Sequence, residues 1–578
     1  MAITRMRPRA ADAVAAVRSY WIDVLLLVVL AALFAGTLAL ARRWEAPYRA
    51  ATEIDLSPWA LPRYTLLSLA RGLVAYVLSF AFTLVYGTIA AYHRRAERIM
   101  IPLLDILQGI PVLGFLPGLV LGMVALFPRS NAGLELACVL MIFTGQVWNM
   151  TFSFYGSLRA IPGELREVAA LHRFGWWKRF RTLEVPSSMI GLVWNSMMSM
   201  AGGWFFLTVT EAFTLGDRDF RLPGIGSYMS VAIDRGDTRA MGCAVVAMIV
   251  MIVAVDQVVW RPALAWAQKF KVEETSAGAA PRSWLLDLLR RSRLVPWLEL
   301  ELGRLLAAVG GGHAESPKSF VREPRVTRVL PWTAGLVAAL ALVAVVAWGS
   351  VHLVVLLGTL TASDWAALAA ALGLTFLRTA TAVALGALWA VPVGIWVGLS
   401  PARTRIVQPL VQIAAAFPAP MIFPLVTLAV LSAGIPFGWG CVLLMLLGSQ
   451  WYVLFNVLAG ATATPQDLRE AADVYGLGRI ARWRTLYLPA VFPQLVTGLV
   501  TAAGGAWNAS IVAEYVRYRG RTLVAPGLGA LITQASETAN FPLLAAGVST
   551  MAVALVALNR TVWRRLYHVA DERYSLNR

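Results

Sequence analysis

The sequence predicts an all-α polytopic membrane protein, with about twelve transmembrane helices arranged as two parallel six-helix repeats. Three observations carry that expectation. The 578 residues are 58% hydrophobic and only 14% charged, with a mean hydropathy of +0.67; soluble domains sit near 45–50% apolar and about 25% charged. Apolar runs of about 20 residues, each long enough to cross a ~30 Å hydrocarbon core, recur along the chain. A polar segment also occurs twice: Glu167 opens EVAALHRFG and Arg181-Thr-Leu-Glu-Val-Pro186 follows, while 303 positions later Glu470 opens EAADVYGLG, followed by Arg484-Thr-Leu-Tyr-Leu-Pro489.

The apolar segments fall near 22–41, 66–92, 100–127, 134–156, 186–213 and 240–260, then near 331–357, 366–399, 407–432, 436–460, 489–516 and 541–562. The first follows Arg5, Arg7, Arg9 and Arg18. It is too long for a signal h-region, so it reads as a retained span. Pro111/Pro117 and Pro418/Pro424 are expected to kink the third spans and to line a moving gate. Such kinks are tolerated where neighbouring helices re-satisfy the backbone. Between the halves, residues 263–329 form a polar linker between a first membrane domain, 1–262, and a second, 330–578. The linker holds Gly310–Gly312, Pro317 and Pro324. Within it, 283–308 alternates apolar residues such as Trp284 and Leu285 with Arg290, Arg291 and Arg293. That pattern is an amphipathic helix, either lying on the lipid surface or packed on the protein body.

Charge sets the expected orientation. The N-terminal arginines, the loop His93–Arg98, the duplicated segment and the basic C-terminal tail all fall on one side, and the positive-inside rule makes that side cytoplasmic, with both termini inside. Arg42 and Arg43 are the exception. The same rule, with attraction to anionic lipid, accounts for the net charge of +18 better than a nucleic-acid partner does. Cys138, Cys243 and Cys441 lie in apolar runs without metal-like spacing and read as buried small hydrophobes.

The repeat runs far beyond the polar segment. Arg71, Gly87, Arg98, Pro102, Pro111 and Pro117 match Arg378, Gly394, Arg405, Pro409, Pro418 and Pro424 at an offset of 307. From Gly145/Gly448 onward the offset is 303, through Trp204/Trp507, Glu211/Glu514, Pro223/Pro526, Gly224/Gly527 and Gly226/Gly529. The halves are parallel repeats about an axis along the membrane normal.

In the second polar segment, Thr464 is expected to cap a helix starting at Pro465, with Asp467 at the capping-box position. Leu468, Ala471, Ala472 and Tyr475 then form one apolar stripe, and Gly476 and Gly478 end the helix. This segment resembles the cytoplasmic loop of the inner-membrane permeases of binding-protein-dependent ABC importers: EAA, three residues, Gly, nine residues, Ile-x-Leu-Pro. Glu470-Ala471-Ala472, Gly476 and Leu486-Tyr487-Leu488-Pro489 follow it, with Leu for Ile. The first copy departs from it: Val168 precedes Ala169, and Arg173 stands where Gly is expected, with Gly175 nearby. Ile161 stands at the capping position, so this helix is expected to start less cleanly. Trp507, Ala513-Glu514 and Gly527-Leu528-Gly529 narrow the resemblance to the nitrate/taurine/sulfonate subgroup.

The resemblance implies a type I importer permease fold with two permease domains fused in one chain of the bacterial inner membrane. It implies that Glu167, Ala169, Arg173, Gly175, Glu470, Ala471, Ala472 and Gly476 serve ATPase coupling. It also implies two cytosolic ATPase subunits, which hold ATP and Mg, and a periplasmic substrate-binding protein. No G-x-x-x-x-G-K-[ST] loop occurs in the sequence, so hydrolysis is expected on the separate subunit. No metal cluster or nucleophile–base pair stands out, and the chain is not expected to be an enzyme. The implied solute is a small anion: nitrate, a sulfonate, a sulfate ester or bicarbonate. A gradient-driven secondary transporter is the rival reading, but it leaves the duplicated loop unexplained. Pathway candidates are Arg71, Arg378, Trp204, Trp507, Asn508, Glu211 and Glu514. An ionised residue within a span usually faces a cavity or a partner, so Arg71 and Arg378 either greet an anion or pair with Glu211 and Glu514.

Overall fold

The structure is a computed structural model that describes residues 44, 48, 50–108, 111–216, 218–270, 344, 347–518 and 521–574. The span expected at 22–41, the linker helix at 283–308 and most of the segment 331–357 lie outside these residues. The helices of the first half are α1 (Leu61–Tyr92), α2 (Arg94–Gln108), α3 (Leu116–Leu126), α4 (Ala132–Arg159), α5 (Gly163–Leu171), α6 (Val185–Thr210), α7 (Ile225–Arg235) and α8 (Thr238–Val255). The second half follows in the same order: α9 (Ala362–Gly398), α10 (Pro401–Ala416), α11 (Phe423–Ser432), α12 (Phe437–Thr462), α13 (Gln466–Val474), α14 (Leu488–Ala513), α15 (Leu528–Glu537) and α16 (Phe541–Leu558). Among the described residues, seven helices are long and apolar enough to cross a membrane: Pro58–Tyr92, Ala132–Arg159, Thr238–Phe270, Ala362–Gly398, Phe437–Thr462, Arg479–Ala513 and Phe541–Tyr574.

The third spans depart from expectation, being broken rather than kinked. Helix α2 ends before Pro111, a 3₁₀ turn covers Val112–Phe115, and α3 starts at Leu116. Helix α10 likewise gives way at Phe417 and Pro418, both extended, to a turn at Ala419–Met421 before α11. Proline lacks the N–H of the ladder and pushes the residue before it out of the helical region. Pro102 and Pro409, by contrast, sit inside their helices.

Two antiparallel hairpins, which the reading as all-helix did not anticipate, follow α6 and α14. Strands β1 (Ala212–Leu215) and β2 (Arg218–Arg221) pair with Phe213 opposite Phe220, and the rings stack at 5.0 Å. Strands β3 (Tyr515–Tyr518) and β4 (Arg521–Val524) pair in the same register, Val516 opposite Leu523.

The chain divides into two compact units. One includes residues 160–194 and 254–270, and so contains α5 and the first turns of α6. There Trp176 and Phe180 stack at 5.6 Å, and Arg179 Nε donates to the buried Glu184 carboxylate at 2.7 Å. The other includes 43–159, 195–253 and 350–578, and so carries the long helices of both halves. Small residues let those helices pack closely, which is how helices associate where lipid removes the hydrophobic drive. A Cβ on Gly87 would lie 2.6 Å from the Phe154 ring, and one on Gly394 would lie 2.9 Å from Val457. These are the same two positions of the repeat, so α1 meets α4 as α9 meets α12.

Candidate functional site

Helices α5 and α13 have equal length, and each starts after a proline with no side-chain cap. The expected Thr464 cap is therefore absent. Its hydroxyl turns back instead and donates to Gly460 O at 3.2 Å, and α13 begins at Gln466. The expected difference in how the two copies start is absent as well. Their C-termini also correspond. In α5 the Arg173 N–H donates to Ala170 O and the Phe174 N–H to Ala169 O, both at 2.9 Å; in α13 Gly476 reaches Asp473 O at 3.0 Å and Leu477 reaches Ala472 O at 3.1 Å. This crossed pair satisfies the last carbonyls of a helix whose following residue is left-handed. Arg173 and Gly476 are those residues, at φ 50° and 61°. Gly175 does not substitute for the missing glycine, because it has an ordinary φ of −60° at the start of the next turn.

The motif alanines divide by burial. Ala169 and Ala472 are buried, Ala471 is half-buried, and Glu167 and Glu470 are exposed. Glu470 accepts from Gln466 Nε2 at 2.9 Å. A residue absent from the sequence-based candidates anchors α13: Arg469 donates to the carbonyls of Leu399 (3.2 Å), Ala461 (2.9 Å) and Thr464 (3.1 Å). The helix is thereby tied to the ends of α9 and α12. Beyond it, Arg482 pairs with Asp473.

At the opposite end of α12 and α14, each half holds a buried ion cluster. Arg71 is fully buried; Nη1 donates to Glu211 at 2.7 Å and to Pro223 O at 3.0 Å, while Nε and Nη2 donate to Glu135 at 2.6 and 2.8 Å. Glu211 also accepts from Ser68 Oγ at 2.6 Å and Gly226 N at 2.8 Å. In the second half Arg378 Nη1 donates to Glu514 at 2.8 Å and to Pro526 O at 2.7 Å, and Glu514 accepts from Thr375 Oγ1 and Gly529 N, each at 2.9 Å. A Cβ on Gly224 or Gly527 would collide with these carboxylates, which explains why a glycine pair follows each hairpin. Both arginines thus take the pairing alternative. Trp204 and Trp507 are each 2% exposed, and a Cβ on Gly72 would sit 2.7 Å from the Trp204 ring. Asn508 Oδ1 accepts from Val112 N at 3.1 Å, joining α14 to the broken third span of the other half.

A cavity of about 290 Å³ opens beside the hairpins, lined by both halves, with Leu113, Pro117 and Thr208 from the first and Met421, Ile511 and Thr533 from the second. None of the seven pathway candidates lines it. Its polar rim is Asp219, Arg221, Asp234, Arg517 and Glu537. Arg221 pairs with Asp219 and Asp234 at 3.2 and 3.4 Å, and Arg517 pairs with Glu537 at 2.9 Å. Burial pushes the Asp234 carboxyl above the usual range, against the pull of Arg221 and Arg517. Burial works against the Arg517 charge, but Glu537 outweighs it and raises the guanidinium above its ordinary value. Two bonds cross between the halves here: Arg517 Nη1 donates to Thr214 Oγ1 and Gly216 N to Ser536 O, both at 3.3 Å. Thr214 and Arg517 are 303 positions apart. They are counterparts in the repeat, so their contact lies on the axis that relates the halves.

Two sets of helices in the same order, seven of them among the described residues long and apolar enough to cross a membrane, with a cavity lined by both sets and a duplicated surface helix, define a membrane permease. The chain belongs to the family described as binding-protein-dependent transport system inner membrane component, which matches it twice, over residues 83–259 and 390–575, more than half its length. It is an inner-membrane permease of the ABC importer class, with two permease domains fused. It is similar to the taurine transport system permease protein of Escherichia coli (strain K12), at 29% identity over 36% of this chain and 72% of that one. A nitrate import permease protein of Leptolyngbya laminosa is 27% identical over 24% of this chain and 48% of its own length. A bicarbonate transport system permease protein of Synechococcus elongatus is 29% identical over 24% and 49%. The chain spans about half the length of those last two relatives.

Proposed function

We propose that this chain is the complete membrane pathway of an ATP-driven importer that moves a small anion of the nitrate, sulfonate, sulfate ester or bicarbonate class into the cytoplasm by alternating access. The observation that carries the reading is the matched pair α5 and α13, each presenting an exposed glutamate (Glu167, Glu470) over a buried alanine (Ala169, Ala472) and closing in the same crossed hydrogen bonds. Each helix would dock on one cytosolic ATPase subunit, with Ala471, Arg173, Gly175 and Gly476 shaping its contact surface. ATP and Mg would belong to those subunits. A periplasmic binding protein would deliver the solute at the hairpin end. Both termini would be cytoplasmic, in keeping with the basic loops.

In this reading the cavity beside the hairpins belongs to the pathway, and the ties Arg517–Thr214 and Gly216–Ser536 hold that end together in one of the two states. Arg71/Glu211 and Arg378/Glu514 brace the hairpins from behind, with Trp204, Trp507 and Asn508 packing the helices that frame the cavity. The test is transport into proteoliposomes containing the chain, its ATPase subunits and its binding protein. Glu470→Lys is expected to abolish uptake while leaving the ATPase subunits active alone, and Glu167→Lys to reduce it less, because α13 alone has glycine at its left-handed end. Full uptake by both variants would refute the docking role, and equal loss would refute the asymmetry.

A further inference from the structure

Arg71 and Arg378 are counterparts in unequal surroundings. Arg71 uses both edges of its guanidinium: Nη1 on Glu211 and the Pro223 carbonyl, and the Nε/Nη2 edge on the two oxygens of Glu135. Arg378 repeats the Nη1 bonds, to Glu514 and Pro526 O. Its Nε/Nη2 edge has no partner among the described residues. The position matching Glu135 is Gly438, 303 residues on. Cys138 and Cys441, three residues further along, fix that correspondence, because they meet the counterpart residues Thr210 and Ala513 at 3.1 and 3.2 Å. A Cβ on Gly438 would stand 3.7 Å from Arg378 Nη2. The glycine therefore leaves open the edge that the glutamate fills. The Arg71 side chain is 0% exposed and that of Arg378 is 14%.

We infer that the open edge of Arg378 is a binding site for an external oxyanion, which takes the place of the Glu135 carboxylate. The molecule supplies its own template: a guanidinium edge at the same place in the fold holds two carboxylate oxygens in parallel, the geometry that makes arginine a fork for carboxylate and phosphate-type groups. The first cluster holds two carboxylates against one guanidinium and the second only one, so a bound monoanion would give the second cluster the same count of anionic groups around its guanidinium as the first. The site is separate from the cavity between the halves, which Arg378 does not line. Leu374, one turn before Arg378, is 42% exposed, and Trp439, beside Gly438, is 63% exposed. The notch thus opens among apolar and aromatic side chains of the kind found at a membrane–water boundary. The phosphate of an anionic lipid headgroup and a small free anion share the chemistry that it would recognise.

The full chain, purified into nanodiscs, separates these sources. Its thermal unfolding midpoint is measured in phosphatidylcholine alone, in phosphatidylcholine mixed with phosphatidylglycerol, and in phosphatidylcholine with sodium sulfate against chloride at matched ionic strength. A rise of roughly 2 °C or more in one arm is expected. The phosphatidylglycerol arm identifies a lipid, and the sulfate arm a free anion. Gly438→Glu supplies the missing carboxylate, so it should raise the midpoint in phosphatidylcholine and abolish the response. Should that variant fail to fold, Arg378→Lys keeps the charge, loses the fork, and must lose the response. No response in either arm, or a response that the folded variants retain in full, overturns the site.

Discussion

Arg173 is in a conformation that costs a non-glycine residue roughly 1–2 kcal/mol, while its counterpart Gly476 adopts the same left-handed backbone freely. Arg173→Gly is expected to steady the end of α5 by about 1 kcal/mol, and Gly476→Arg to loosen α13 by a similar amount. Amide exchange at Phe174 and Leu477, whose N–H groups close the two ends, reads this directly; unchanged protection in both variants would contradict it. The motif spacing had already marked Gly476, and the sequence alone showed Arg173 in the glycine's place. It could not show that the backbone keeps the glycine's conformation there. The ion clusters were half legible. Arg71 and Glu211 stood out as charges in apolar runs that recur in the other half as Arg378 and Glu514, but Glu135 near the start of α4 did not, because its counterpart is Gly438. Gly527→Ala should drive a methyl into the Glu514 carboxylate and destabilise the protein by about 1–3 kcal/mol, seen as a lowered unfolding midpoint.

Arg469 ties helix α13 to the membrane helices. It gathers the carbonyls of Leu399, Ala461 and Thr464, so the ends of α9 and α12 must follow α13 when it moves. Arg469→Ala is expected to leave ATP hydrolysis by the assembled importer near normal while uptake falls severalfold, raising the ATP used per solute moved. A parallel fall in both rates would point instead to lost assembly. In the sequence Arg469 reads as one more solvated charge on an amphipathic helix; its three acceptors come from helix ends that periodicity cannot bring together. The broken third spans show a similar limit. Their prolines predict a disturbance, but kink and break differ only in whether neighbours restore the lost hydrogen bonds. The hairpins were missed because their strands are four residues long, too short for an alternating pattern to show, although the first turns at Gly216 with φ 57°.

At the scale of the whole molecule, the halves are joined by Val112–Asn508, Thr214–Arg517, Gly216–Ser536 and Asn559–Asp105. A chain cut within 263–329 should therefore yield two fragments that co-purify in detergent, and their separation would show that the linker is needed for pairing. The duplication itself was fully legible, because matched prolines and glycines survive at fixed offsets. The cavity was not, since its lining comes from hairpins and helix ends that only the fold assembles. Thr214 and Arg517 touch on the axis, where a pair of identical subunits must set like against like: two guanidinium groups in mutual repulsion, or two hydroxyls with no charge. Fusion removes that rule. A covalently joined permease can carry unlike groups on its own symmetry axis, and this one sets the guanidinium of Arg517, itself paired with Glu537, against the hydroxyl of Thr214.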